Sequence, residues 1–413
     1  MRRPSMEVLP ILSAMRRNKV GAILVAVQMA ATLAILSNAL FIIQQHLALS
    51  SRPSGIDEAN LFAISNQWVG TPPDESALLQ TDLAALRALP GVIDAYATNS
   101  YPLTNSGWGD GADLKPDQTK SSTHMARYFG DEHTLNTLGV KLLAGRNFTA
   151  AEVVDRMYND QAAPTALIIS RAMADSMFPH GDALGKSIYT SGNKAQTSPI
   201  VGIVERLQSP WVSGSSWAAG WVENTAIEPY HYLAKSFCYL VRTQPGQLEN
   251  VLLLSQQKLF EIHRARVLDK VQTLTEARQE VYRDDRGLAL ILAVVCAVLL
   301  AITAFGIVGL TSYWVAQRRR QIGIRRALGA TRGAVVRYFQ TENLMIAATG
   351  AVVGIVLAIT LNLWMVSSFQ LERLHNSYAV GGAVIVLLLG QLAVLWPALR
   401  AASIPPALAT RSV

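Results

Sequence analysis

Four stretches of the chain carry no Asp, Glu, Lys or Arg: residues 21–43, and the intervals between Arg286 and Arg318, between Glu342 and Glu372, and between Arg373 and Arg400. Each exceeds the ~20 residues that cross a hydrocarbon layer about 30 Å thick. A core helix of that length normally keeps a polar face, so the pattern predicts four membrane spans, at 21–45, 286–316, 338–370 and 378–399. Between the first and second spans the pattern changes to short alternating runs. Residues 60–65 read as a strand, 75–89 as a helix with Leu78, Leu79, Leu83, Leu86 and Leu89 on related faces, and 92–96 as a strand after the Pro90-Gly91 stop. The order repeats near the end of this region: strand 237–242, helix 248–263, strand 266–272, and a helix over 274–283 running into the second span. Two split βαβ-type units predict a mixed sheet with helices on one face. Between them, strands at 166–169 and 200–205 flank a helix over 170–178 that Ser170 can cap. This middle part, about 126–222, reads as an inserted subdomain, with the Gly-, Ser- and Trp-rich stretch 206–224 as a loop. The fold class predicted is an α-helical membrane protein with four transmembrane helices and a large mixed α/β domain.

Charge orients this architecture. The chain has 413 residues, 50% hydrophobic and 16% charged, and a net charge of +7. Residues 1–20, the 318–342 loop and the tail from Arg400 together hold 14 basic residues and two acidic ones, whereas 45–286 holds 21 basic and 26 acidic. The positive-inside rule therefore places both termini (1–20 and 400–413) and the 317–337 loop in the cytoplasm, and the 46–285 domain and the 371–377 turn outside. The basicity is a topology signal, and no nucleic-acid motif accompanies it. Ala48-Leu49-Ser50 faintly resembles a signal-cleavage site, but the apolar run before it is longer than a signal-peptide core, so an uncleaved anchor is expected.

Enzyme chemistry is not visible. Gly181-Asp182-Ala183-Leu184-Gly185-Lys186-Ser187 is one residue short of a phosphate-binding loop, since position 180 is His, and reads as a turn. Cys238 and Cys296 fall in different environments, which excludes a disulfide framework. His124 and His133 stand nine apart with no metal motif around them, and no catalytic site, bound cofactor or metal is expected. The spans carry no ionisable side chain of the kind proton-coupled transporters use, only polar ones such as Gln28, Asn38, Thr303, Asn362 and Gln391. Gly350-x-x-x-Gly354-x-x-x-Ala358 allows close helix approach, most simply inside one subunit. Glu342 reads as an interfacial residue. Trp68, Trp108, Trp211, Trp217 and Trp221 are either core or interface anchors or the lining of a hydrophobic peptide site.

The densest signal is Arg318-Arg319-Arg320-Gln321-Ile322-Gly323-Ile324-Arg325-Arg326-Ala327-Leu328-Gly329. Ile324 and Leu328 fall at i, i+4 with Ile322 beside them, and Arg325 and Arg326 on the other side, which predicts a short amphipathic helix. Gly329 stops it and Thr331 can cap the next helix. From spacing alone two readings stand level: a coupling helix seated in an ATPase groove, or an arginine cluster held by anionic lipid headgroups.

This loop resembles the "R-x-x-EIG-x-RRA-x-GA" segment of FtsX-like permeases. Residues 397–406 resemble their exit motif, and residues 12–20 their entry segment. Tyr128-Phe129 with residues 138–148 (LGVKLLAGRNF), followed by 167–178, 181–188 and 200–204, is similar to MacB-type periplasmic core domains. The resemblance spans the whole chain in order. It implies a permease subunit of a MacB-type ABC transporter in the bacterial inner membrane, with a porter-like and an inserted subdomain outside. It also implies mechanotransmission: a partner's ATP hydrolysis moves the periplasmic domain, exporting or extracting a peptide, antibiotic or lipid-like substrate. The alternative it leaves is an FtsX-like signal transmitter that transports nothing and regulates a periplasmic partner. A passive receptor or scaffold is disfavoured by the basic loop. Implied partners are cytoplasmic ABC ATPase subunits, which would bind the ATP and Mg, and a second permease subunit as homo- or heterodimer. A periplasmic adaptor, an outer-membrane duct and membrane lipid complete the set. The family usually has Glu where this chain has Gln321.

Overall fold

The structure is a computed structural model that describes residues 19–403 other than 117, 158–159, 161, 191–192, 213–217 and 370–371. The expected cytoplasmic segment before residue 19, Trp217, the start of the 371–377 turn and the tail from Ile404 lie outside the described residues. Along the chain, helix α1 (Lys19–Ser50) precedes strand β1 (Leu61–Trp68), helix α2 (Glu75–Arg87) and strand β2 (Val92–Thr98). Next come β3 (Trp108–Asp113), β4 (Thr123–Gly130), α3 (Thr134–Leu138), β5 (Leu142–Gly145) and β6 (Val154–Met157). They are followed by β7 (Leu167–Ser170), α4 (Arg171–Met177), β8 (Ser187–Thr190), β9 (Asn193–Val204) and β10 (Thr225–Leu233). Strand β11 (Ser236–Thr243), α5 (Leu248–Ile262), β12 (Arg266–Thr273) and α6 (Leu274–Val281) lead to the helices α7 (Arg283–Gln317), α8 (Arg319–Ala327), α9 (Arg332–Phe369) and α10 (Asn376–Ala402). Two compact units result: Leu49–Asp285, and Met1–Ala48 with Arg286–Val413.

In the first unit, β12-β1-β11-β2 form one sheet in that order. Every neighbouring pair is antiparallel, which corrects the mixed sheet expected from the sequence. The two βαβ units interleave: β11 lies between β1 and β2, and β1 between β11 and β12. Strands that run in the same direction are thus never neighbours. Asp74 caps α2 by accepting from the Ala77 amide at 2.9 Å, so the helix starts where its leucine stripe does. Leu79, Leu83 and Leu86 of α2 and Val251 and Leu259 of α5 cover one sheet face with Phe62, Ile64 and Tyr239. The other face, through Leu61, Ala63, Tyr96 and Leu240, packs on Tyr128, Leu138 and Val204 of the insertion. The last helix of the unit does not run on unbroken into the span: α6 ends at Val281 and Tyr282 caps it.

The insertion is wider than 126–222, because β3 before it and β10 after it belong to its sheet. Strand β4 pairs with both β3 and β10, and the pairings β10–β7, β7–β9, β9–β8 and β8–β3 complete a closed ring of six strands. Strand β6 continues from the far half of β10, and β5 adds to β9. Membership of β3 and β10 is set by pairing partners more than ten residues away, which strand periodicity does not encode.

In the helical unit, α1, α7, α9 and α10 are long and apolar enough to cross a membrane. Helix α1 is the hub. A Cβ on Gly354 would meet the Leu33 side chain at 2.8 Å and the Ala30 carbonyl at 3.0 Å, and one on Gly350 would meet the Ala26 carbonyl at 2.8 Å. Asn38 of α1 donates to the Ala358 carbonyl at 3.1 Å. The Gly350-Gly354-Ala358 stripe therefore packs inside one subunit. Gln28 donates to the Ile302 carbonyl at 3.1 Å and Thr32 meets Thr303 at 2.8 Å, which joins α1 to α7. Helix pairs without hydrophobic drive rely on such close approach and neutral hydrogen bonds.

Candidate functional site

The arginine loop folds as expected locally. Helix α8 ends in a Schellman arrangement: Ala330 N donates to the Arg325 carbonyl at 3.0 Å and Gly329 N to the Arg326 carbonyl at 3.1 Å, with Gly329 at φ +98°. That left-handed turn explains glycine at this position. Thr331 Oγ1 then accepts from Ala334 N at 3.2 Å and caps α9. The turn is short, so α8 and α9 are set by backbone geometry rather than by long side chains.

Of the residues singled out from sequence, Ile322 and Gly323 are buried and anchor α8; Ile322 packs into the core of the helical unit with Val335, Phe339 and Ala398. Arg319, Gln321 and Arg325 are exposed and Arg326 half-buried. Ile324 and Leu328 are 46% and 83% exposed, an apolar pair pointing away from the unit's core. The expected stripe is thus divided: Ile322 faces inward, and the i, i+4 pair faces outward.

Arg318 does something the sequence did not announce. Its Nη1 donates to both carboxylate oxygens of Glu342 at 3.0 and 2.8 Å, and lies 3.5 Å from the Tyr338 hydroxyl. The Glu342 side chain is 4% exposed, so it is a buried counter-ion and not merely an interfacial residue. The available signal was that Glu342 is the sole acid among the seven arginines of 318–342. Arg325 stacks over the Tyr338 ring, its Cζ 5.2 Å from the centroid. The loop is therefore clamped to the start of α9 at two points while its outer apolar pair stays uncovered.

The other sequence candidates that the structure describes have partners within the fold. Trp68 is buried beneath Arg266, 4.7 Å from the guanidinium, and Trp108 packs edge-on against Phe129 and Tyr232. Trp211 and Trp221 pack on each other 6.0 Å apart. His133 Nδ1 contacts Asp94 at 2.8 Å, and Cys238 lies 3.6 Å from the Ser65 hydroxyl. No group of three metal-ligating side chains occurs among the described residues.

Comparison with known proteins decides the family. Residues 25–251, more than half the chain, match the MacB-like periplasmic core domain, and residues 293–406 match the FtsX-like permease C-terminal region. The chain belongs to the MacB/FtsX-like ABC transporter permeases. Among relatives of this family, it is 23% identical over 301 residues to the uncharacterized ABC transporter permease YvrN of Bacillus subtilis, covering 69% of each chain. It is 25% identical over 309 residues to the macrolide export ATP-binding/permease protein MacB 1/2 of Paracoccus denitrificans, covering 74% of this chain and 42% of that one. The crystal structure of the periplasmic region of MacB from Actinobacillus actinomycetemcomitans aligns at 14% identity and TM-score 0.35, over 55% of this chain and 94% of that one. Four apolar helices with a MacB-like periplasmic domain fit an inner-membrane protein.

Proposed function

We propose that this chain is a permease subunit that passes the work of ATP hydrolysis in a partner subunit to its MacB-like domain, driving export or extraction of a peptide, antibiotic or lipid-like substrate. In this reading 49–285 is periplasmic, both termini and the α8 loop are cytoplasmic, and ATP and Mg are bound by the partner. The chain pairs with a second permease, of its own kind or another. The observation that carries the proposal is the exposed Ile324–Leu328 pair, held outward on a helix whose inner side is clamped by Arg318 and Glu342. An exposed apolar pair on an otherwise basic helix gains from entering a partner's groove. The Schellman turn and the ion pair keep the helix folded before it docks, which lowers the ordering cost of binding.

The test is co-purification of the tagged full chain in mild detergent. Wild type is expected to retain a cytoplasmic ATPase subunit. Ile324→Asp with Leu328→Asp is expected to lose it while inserting normally, because two carboxylates would have to shed water in the groove. Undiminished ATPase recovery with the double variant would overturn the docking assignment. An adaptor or outer-membrane duct alongside the ATPase supports transport; a periplasmic hydrolase in their place would turn the reading to signal transmission.

A further inference from the structure

Helix α8 has a second face. Arg318, Gln321, Ile322 and Arg325 stand at i, i+3, i+4 and i+7, on the side that carries Ile322. With the start of α9 they enclose a pocket of about 100 Å³, rimmed by Arg318, Gln321 and Arg325 and floored by Ile322, Val335 and Phe339. That is well above the room one water needs.

The charge of this pocket is unbalanced. The carboxylate beside it, Glu342, is already neutralised by Arg318, whose Nη1 reaches both its oxygens and the Tyr338 hydroxyl. Arg325 has no carboxylate partner among the described residues; it rests on the Tyr338 ring at 5.2 Å, a contact that leaves the edge of the guanidinium free to donate. Gln321, one turn before Arg325, has no hydrogen-bond partner among the described residues and offers a neutral amide donor. One uncompensated guanidinium, one amide and an apolar floor sit at the end of a membrane helix. A carboxylate ligand would satisfy the donors, but a tetrahedral oxyanion presents more acceptors to a planar fork and an amide together.

We propose that this pocket binds a phosphate oxyanion, with Arg325 and Gln321 as its donors. The apolar floor favours an anionic phospholipid headgroup, whose glycerol and first acyl carbons would lie on Val335 and Phe339; a free phosphate offers the same oxyanion without that contact. Neither Ile324 nor Leu328 lines the pocket, so the proposal rests on Arg325, Gln321 and the apolar floor and not on ATPase docking.

The test uses the purified full chain and native mass spectrometry, counting lipids retained from an equal mixture of phosphatidylglycerol and phosphatidylcholine. Wild type is expected to prefer phosphatidylglycerol by about tenfold, the scale of one charge-assisted hydrogen bond. Arg325→Gln removes the charge, and Gln321→Glu supplies a carboxylate one turn away; both are expected to bring the two lipids to near parity. Arg320→Gln, an exposed arginine outside the pocket, is expected to keep the preference. All variants are first checked for a wild-type helical signal and melting transition. In a second arm, excess inorganic phosphate is added. If it abolishes the lipid preference and raises the melting temperature of wild type but not of Arg325→Gln, the oxyanion is a free phosphate; if it does neither, the lipid is the ligand. No lipid preference together with no phosphate stabilisation in wild type overturns the proposal. So does equal loss of preference in Arg320→Gln, which would mean a diffuse charge effect.

Discussion

In the α/β unit, polar groups are buried as full charges. Arg266 donates to both oxygens of Asp82 at 2.8 and 3.0 Å, with both side chains wholly buried, and the Tyr239 hydroxyl donates to the same carboxylate. Arg127 similarly forks onto buried Glu228 at 2.6 and 2.7 Å. Burial, then the Asp82 charge, push the Tyr239 hydroxyl well above its ordinary pKa, so it remains a donor. In the helical unit the same task falls to neutral groups: Thr32 with Thr303, Gln28 and Asn38 with backbone carbonyls. Its buried ion pair, Arg318 with Glu342, stands at the arginine-loop end of α9. The contrast follows from the surroundings. A protein core can wrap a charge in further donors and aromatic faces, whereas hydrocarbon offers none, and helices there gain more from close backbone approach.

The largest effect is expected where a buried charge loses its partner. Asp82→Asn should destabilise the α/β unit by about 3–5 kcal/mol, because Arg266 is left charged and unpaired. Asp82→Leu with Arg266→Met should recover most of that loss. Urea unfolding followed by tryptophan fluorescence measures both, and an unperturbed Asp82→Asn would mean that the two units do not differ in how they hold buried polar groups. A smaller effect is expected for Gly354→Ala, about 1–3 kcal/mol, since the added methyl meets Leu33 and the Ala30 carbonyl. Thermal unfolding in detergent should show it, while alanine at Gly309, which has open space where the Cβ would go, should be neutral or slightly stabilising.

The smallest effect concerns a surface charge. Hydrogen bonds from Arg146, then from Thr149, hold the Glu152 carboxyl down, from 4.5 to about 2. The depressed pKa means this contribution is fully present above 4.5 and is lost as pH falls through about 2. Hydrogen exchange across residues 146–152 of the full chain should accelerate over that acid window. Arg146→Gln should move the onset to higher pH, towards the ordinary Glu range. Because the pair is largely exposed, overall stability should barely change.

Much of this was readable from the sequence. The charge-free runs mark the four long helices, Ser170 caps α4 by accepting from Met173 N at 3.3 Å, and Gly329 and Thr331 end α8 and start α9 where turn chemistry requires. These features are local, so a few adjacent residues carry them. Partnerships across the fold are not local. That Glu342 is the sole acid beside seven arginines says an arginine should pair with it but not that it is Arg318, 24 positions away, and nothing near Gly354 points to Leu33. The interleaving of β1 and β11 and the membership of β3 and β10 depend on which strands meet, which alternation leaves open. The division of Ile322 from Ile324 and Leu328 was hidden for the same reason: it depends on what lies beneath the helix.

The six-stranded ring of the insertion has a mechanical consequence. An open sheet can yield by letting one strand creep along its neighbour, but a closed one has no seam, so creep at any pair would break pairings all the way round. The insertion is therefore a strut and not a spring. It joins the four-stranded sheet through two chain crossings, residues 99–107 and 234–235, and through the shared core around Tyr96, Tyr128 and Leu240.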